Sequence, residues 1–226
     1  MEDFLETSQS DRLPVLQLQA NFVPSTVRFY DPKDLLVFRT GHLPHWRQEG
    51  KTYFLTFVLF DALPEKVKKR VQEKRSVLKT SIEQSLHLED RVLIRDVLGQ
   101  LYEEALHKAQ GECFLESSIC RKIVRDALCF FSGDRYVLHA WVLMPNHVHV
   151  LATMKRGEDL GRVLHSWKSY TAHKMNKALG RNGKVWQRET FDRIVRNEGA
   201  FCRYKAYILS NPKGLRSGTF QVGVET

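Results

Sequence analysis

The run Met144-Pro145-Asn146-His147-Val148-His149-Val150-Leu151 constrains this chain more than any other segment. Ser132-Gly133-Asp134 is a turn signal, and β-branched and aromatic residues crowd both sides of Pro145-Asn146. The segment therefore reads as an antiparallel hairpin, with one strand over 135–144, a turn at Pro145-Asn146 and a return strand over 147–154. Side chains alternate between faces in extended backbone, so His147 and His149 point one way and Val148 and Val150 the other. Any fold built on this hairpin has an apolar sheet face and, on the reverse, two imidazoles side by side. Such a pair is half of a metal site, although the same pattern also suits histidines that face solvent or satisfy polar groups in a core.

The flanking sequence supplies a sheet and its helices. Tyr53-Phe54-Leu55-Thr56-Phe57-Val58-Leu59-Phe60 is a buried strand that ends at Asp61-Ala62-Leu63-Pro64. From about 64 to 130 the chain is charged, with apolar residues at helical spacing (Val92, Leu93, Val97, Leu98, Leu101), which predicts two or three helices interrupted near Gly111-Glu112-Cys113. Gly157-Glu158-Asp159 caps a helix to about Leu179, with Leu160, Val163, Leu164, Trp167 and Thr171 at core spacing. Gly180 to Gly183 ends it. A short strand over Phe191–Arg196 and a last helix over Gly199–Ser210, stopped by Asn211-Pro212, complete the order. Residues 1–29 are polar and aperiodic, as expected of a flexible extension. The order of elements predicts an α+β fold, a sheet with helices packed on one face.

Composition narrows the class. With 226 residues and 42% hydrophobic content the chain has the makings of one ordinary domain with a helical insertion. No apolar run approaches the roughly 20 residues of a membrane helix. The start, Met1-Glu2-Asp3-Phe4, is not a basic region followed by an apolar stretch, so a cytoplasmic protein with no membrane partner is expected. Cys113, Cys120, Cys129 and Cys202 lack the CxxC spacing of a zinc knuckle or redox motif and are expected to be reduced thiols. Lys plus Arg exceeds Asp plus Glu by 35 to 26, a formal charge of +9, and basic residues dominate from Lys155 to Lys213. That bias suits a polyanionic partner, or simply a solvated basic face.

Two imidazoles need an oxygen ligand and room for a substrate oxygen to hold Mg²⁺ or Mn²⁺. The final helix offers both an oxygen and a nucleophile, because Tyr207 and Asn211 are four apart and share a face if the helix reaches Asn211. A phenol beside a metal-bound phosphate can displace a sugar 3′-oxygen and leave a phosphotyrosine. By spacing alone, Tyr170 and Tyr204 are candidates of similar standing, and a zinc hydrolase built on His147, His149 and His139 is a different solution to the same pattern.

Taken together, Trp141 to Leu151, Trp186-Gln187 and Tyr207-Ile208-Leu209-Ser210-Asn211-Pro212 resemble the HUH transposases with a single catalytic tyrosine. Within them, the resemblance is to the REP-associated tyrosine transposase branch, related to transposases that move as single strands. Leu43-Pro44-His45-Trp46, Tyr53 to Phe57, Gly111-Glu112-Cys113 and His165-Ser166-Trp167-Lys168-Ser169 agree in order, so the resemblance covers about 30–216. It implies a ferredoxin-like HUH nuclease domain over that range, with the helical insertion at 64–130 after the first strand. It also implies that His147 and His149 hold a divalent metal, Mg²⁺ or Mn²⁺, with Asn211 as third ligand, and that Tyr207 attacks DNA to form a 5′-phosphotyrosine. The implied substrate is single-stranded DNA with palindromes folded as hairpins, acted on in the cytoplasm of a bacterium, at the nucleoid, by a monomer or homodimer.

The absence of a GxxxxGK[ST] loop agrees with a strand exchange that needs no ATP. Arg162, Lys168, Lys174, Lys184 and Arg188 are expected to track phosphates, with Trp186 as a base-stacking platform. In the family, the run Asn211-Pro212-Lys213-Gly214-Leu215-Arg216 leads on to a further aromatic and serine-rich segment, whereas here a tail of 217–226 follows directly. This departure motivates a second expectation, a domesticated protein that grips hairpin DNA without cutting it.

Overall fold

The structure is a computed structural model that describes residues 21–40, 44–67, 69, 73, 106 and 111–224. A two-stranded hairpin of β1 (Val37–Thr40) and β2 (Pro44–Arg47) stands beside an antiparallel sheet of five strands. The five are β3 (Thr52–Val58), β4 (Tyr136–Leu143), β5 (His147–Met154), β6 (Phe191–Ile194) and β7 (Gln221–Val224), in the order β6-β3-β5-β4-β7. The sheet is accompanied by helices α1 (Ser118–Phe130), α2 (Leu160–Ala178) and α3 (Glu198–Ser210), with a 3-10 turn at Phe114–Glu116 leading into α1. The unit β3-α1-β4-β5-α2-β6, with its strands in this order, is the expected ferredoxin-like α+β arrangement, and β7 extends it along β4.

β5 is the middle strand, buried along its whole length, with Thr56 opposite His149 on β3 and Val142 opposite His149 on β4. Its valines face a core made with α1 and α2, where Val148 and Val150 meet Leu55, Phe57, Trp141, Leu128, Val163, Leu164 and Trp167. α2 begins as its sequence predicts, with the Asp159 carboxylate accepting from the Arg162 amide at 2.9 Å. Asn197 caps α3 in the same way, accepting from the Ala200 amide at 2.9 Å. Each such cap contributes on the order of 1 kcal/mol.

Helices on one face describe α1 and α2 but not α3. Ala200, Phe201, Ile208 and Leu209 of α3 pack with Phe54, Val142, Leu151, Val222 and Val224 in a second core on the reverse of the sheet. Topology explains the placement. β3 and β4 run parallel and so do β5 and β6, and α1 and α2 cross between these pairs on a shared face. α3 links β6 to β7, parallel strands at the two edges, but the sense of this step relative to strand direction is reversed. Crossovers are right-handed almost without exception, so the third must lie on the opposite face. The helix with Tyr207 is thereby delivered to the face with the histidines.

Other boundaries differ from expectation. Residues 118–130, assigned by sequence to the insertion, form α1 of the βαββαβ unit itself. β6 stops at Ile194, and the four-residue strands β1, β2 and β7 are additions to the expected order. The periodic positions Val92 to Leu101 and residues 1–20 lie outside the described residues. Among the described residues the four cysteines are free thiols, and no helix is long and apolar enough to cross a membrane.

Candidate active site

His147 and His149 are buried on the α3 face of β5, with ring centroids 4.7 Å apart and planes at 78°. An oxygen holds the Nδ1 of each. His147 Nδ1 lies 2.7 Å from Asn146 Oδ1, and His149 Nδ1 lies 2.8 Å from Thr56 Oγ1. A cation would therefore be taken through the opposite ring nitrogens, the two Nε2 atoms. Phe54, next but one to Thr56 on β3, stacks on His149 with centroids 5.4 Å apart and walls the site.

α3 brings the other groups. The Tyr207 ring meets His149 edge-on at 5.2 Å and Phe54 at 5.9 Å. Asn211 retains helical backbone angles, φ −56° and ψ −42°, so it lies one turn beyond Tyr207 on the same side. Its Oδ1 and Nδ2 are buried and make no hydrogen bond among the described residues. A buried amide left unsatisfied costs about 1–3 kcal/mol, so a partner for this one is called for. Two imidazoles with an amide oxygen would suit Mn²⁺ or Mg²⁺ completed by substrate oxygens. Among the described residues no group of three His, Cys, Asp or Glu is placed to hold a metal, so an all-protein zinc site has no support.

The alternative residues separate cleanly. Tyr204 is flat against Phe54, at 4.6 Å and 7°, with its ring engaged in packing. Tyr170 is on α2, 51% exposed, on the far face of the sheet, with the Lys174 ammonium over its ring at 5.6 Å. His139 shares the histidine face only because a bulge between Leu138 and Ala140 turns it there. It bonds Thr153 through Nε2 at 2.7 Å and meets Phe201, well down β4 from Val142, the partner of His149.

The residues expected to bind DNA are not gathered at this site. Arg162, Lys168 and Lys174 are on α2, so they belong to the sheet face opposite the histidines, and Lys184 and Arg188 lie beside α2 in the loop that leads to β6. Lys168, Lys184, Trp186 and Arg188 line an open groove of about 430 Å³ together with Arg47 and His165. Trp186 is no stacking platform. It is 7% exposed, its indole nitrogen donates to Thr171 Oγ1 at 2.8 Å, and its ring meets Phe57 edge-on at 5.0 Å.

Lys168 is likewise turned inward, donating to the carbonyls of Arg188 and Glu189 at 2.9 and 3.2 Å and to Thr190 Oγ1 at 3.1 Å. It pins the 188–190 loop to α2, and burial pushes its ammonium down to about 8. Between pH 8 and the unfolded value near 10.4 the unfolded chain binds the extra proton, so this group makes stability rise with pH there. Denaturant titrations across that window are expected to show the rise in the wild type and a smaller one in Lys168→Met. Equal slopes would contradict the assignment.

Thr56 and Asn146 are the residues that sequence inspection passed over. Their signal was present, since Asn146 adjoins His147 and Thr56 is a polar residue in the middle of an apolar strand, but the pairing of Thr56 with His149 requires the register of β3 on β5.

Comparison with known proteins bears on the same region. No curated protein matches the chain. A solved REP-associated tyrosine transposase bound to a REP hairpin aligns at 17% identity and a TM-score of 0.43, over 75% of this chain and 70% of that one. The family model for IS200-like transposases matches residues 117–211, from the cap of α1 to the residue after α3. Both histidines, Tyr207 and Asn211 fall inside that match, and over this segment the chain is similar to the IS200-like transposases.

Proposed function

We propose that this protein cuts and rejoins single-stranded DNA by transesterification through Tyr207, with His147, His149 and Asn211 holding a divalent cation, on DNA that folds into hairpins. The observation that carries the proposal is the meeting of Tyr207 with His149 at 5.2 Å, with the buried, unsatisfied Asn211 amide one turn further along α3. Resemblance to the REP-associated branch supplies the hairpin substrate.

A divalent cation at this site supplies Lewis-acid polarisation of a phosphoryl oxygen. Phe54 and His149 hold the Tyr207 ring edge-on at the histidine face of the sheet. The Tyr207 oxygen attacks phosphorus, the Tyr Oη–P bond forms and the P–O3′ bond breaks, and the proton lost by the phenol is balanced by the one gained on the 3′-oxygen. One phosphodiester replaces another, so a 3′-OH can reverse the step with no external energy source.

The test is a labelled single-stranded hairpin incubated with the wild-type protein in Mn²⁺ or in chelator, then separated under denaturing conditions. A covalent adduct is expected in Mn²⁺ alone, with the nucleotide mapped to Tyr207 by mass spectrometry. Tight hairpin binding with no adduct in any divalent metal would instead support a protein that grips DNA without cutting. Affinity for the hairpin is expected to fall by about 10-fold or more between 50 and 200 mM salt, as released counterions dictate for a site that contacts several phosphates. A flat salt response would remove the basic residues from the DNA interface.

A further inference from the structure

Two side chains outside the proposed ligand set occupy the Nδ1 positions of both imidazoles. They come from different parts of the fold, Thr56 from β3 and Asn146 from the turn between β4 and β5. Both are buried. We infer that Thr56 and Asn146 are positioning residues that hold His149 and His147 in the Nδ1–H tautomer, so that both rings present Nε2 lone pairs to a divalent cation. This inference rests on the histidines being metal ligands, as proposed above.

The geometry gives each oxygen a defined role. An Asn amide oxygen only accepts hydrogen bonds, so contact at 2.7 Å makes His147 Nδ1 the donor. The other end of that amide points to the Leu106 carbonyl, with Nδ2 3.5 Å from it, which selects the orientation that turns Oδ1 to the ring. The turn is itself fixed, since the Leu59 amide donates to the Asn146 carbonyl at 2.9 Å and the Leu115 amide to the Pro145 carbonyl at 3.2 Å. Thr56 needs no such support, because its Cα is the register partner of His149 in the sheet. Its hydroxyl, 2.8 Å from His149 Nδ1, can donate or accept, and the inferred tautomer is the one in which it accepts. An imidazole binds metal through a nitrogen without a proton, and an oxygen partner on the other nitrogen both fixes the proton there and sets the ring plane. Loss of such a partner typically weakens metal affinity 10–100-fold.

Two measurements test the inference. Long-range ¹H–¹⁵N spectra of the DNA-free, metal-free wild-type protein at pH 8 are expected to show both histidines as the Nδ1–H form. An Nε2–H form for either would overturn the role of its partner, and no variant needs to fold for this result. Mn²⁺ affinity, read by electron paramagnetic resonance without DNA, is expected to fall about 10–100-fold in Thr56→Val and Asn146→Ala. Thr56→Ser, which restores the oxygen, should return to within about 3-fold of wild type. Thr56→Val and Asn146→Ala proteins that melt like wild type and bind Mn²⁺ equally well would overturn the inference. Unchanged Mn²⁺ binding in His147→Ala and His149→Ala would instead overturn the metal assignment beneath it, so the two failures are told apart.

Discussion

Tyr207→Phe is expected to form no covalent adduct with single-stranded DNA and to cleave it at least about 10³-fold more slowly than the wild type, the effect of removing a nucleophile from a site otherwise intact. The phenyl ring that remains can keep its edge contacts with His149 and Phe54, at 5.2 and 5.9 Å, so melting temperature and Mn²⁺ affinity should change little. Single-turnover cleavage with a labelled hairpin in Mn²⁺ gives the rate, and a thermal melt provides the control. Tyr204→Phe is the companion variant. Tyr204 serves through its ring, stacked on Phe54 at 4.6 Å, and Phe preserves that stack, so cleavage should stay near the wild-type rate. An adduct that survives in Tyr207→Phe and disappears in Tyr204→Phe would transfer the nucleophile's role one turn back along α3.

The largest stability effect is expected from Gly223→Ala. Gly223 on β7 is the register partner of Trp141 on β4, and the indole of that fully buried Trp lies directly over the glycine. A Cβ built on Gly223 would fall within the van der Waals surface of the six-membered ring and of Nε1. Neither partner has room to give, since Trp141 is held by the α1 and α2 core and Gly223 by the β-ladder. Overpacking of this kind costs about 1–3 kcal/mol, which lowers Tm by roughly 2–12 °C in a chain of this size. Hydrogen exchange should accelerate at the amides of residues 221–224 before it does so in β5. An unchanged melting temperature would mean that β7 leaves the sheet at little cost.

The hairpin of β4 and β5 was legible because its signals are local: a turn at Pro145-Asn146, β-branched flanks and strict alternation. Asp159 announced the start of α2 for the same reason, since a cap and its amide are three residues apart. The faces of the sheet were not legible. Whether α3 shares a face with α2 depends on which strands are the edges, and the edges are defined by pairings such as β3 with β6 and β4 with β7, made between residues far apart in sequence. The same limit applies to the site. Tyr207 and Asn211 could be paired from their spacing on one helix, whereas the contact of Thr56 with His149 spans 93 positions and leaves no periodic trace. Trp186 and Lys168 show the converse. Adjacent to basic residues in sequence, they looked like part of a nucleic-acid surface, and tertiary contacts with Thr171 and the 188–190 loop turn both inward.

Because α3 links the two edge strands, Tyr207, the proposed nucleophile, rides on a strut anchored at both ends. One anchor is β6 with the Asn197 cap, and the other is β7, whose approach is gripped where Arg121 of α1 donates to the Gly218 carbonyl at 2.6 Å. His147 and His149, the two proposed ligands from the sheet, by contrast stand on the middle strand, braced by neighbours on either side, while Asn211 travels with α3. Releasing the β7 anchor would leave the histidines in place and convert the strut into a lever pivoting near Asn197. The distance from Tyr207 to the two histidines would then vary with the swing of one helix, and the proposed strand exchange could be slowed from the far edge of the sheet without any change in the side chains that perform it.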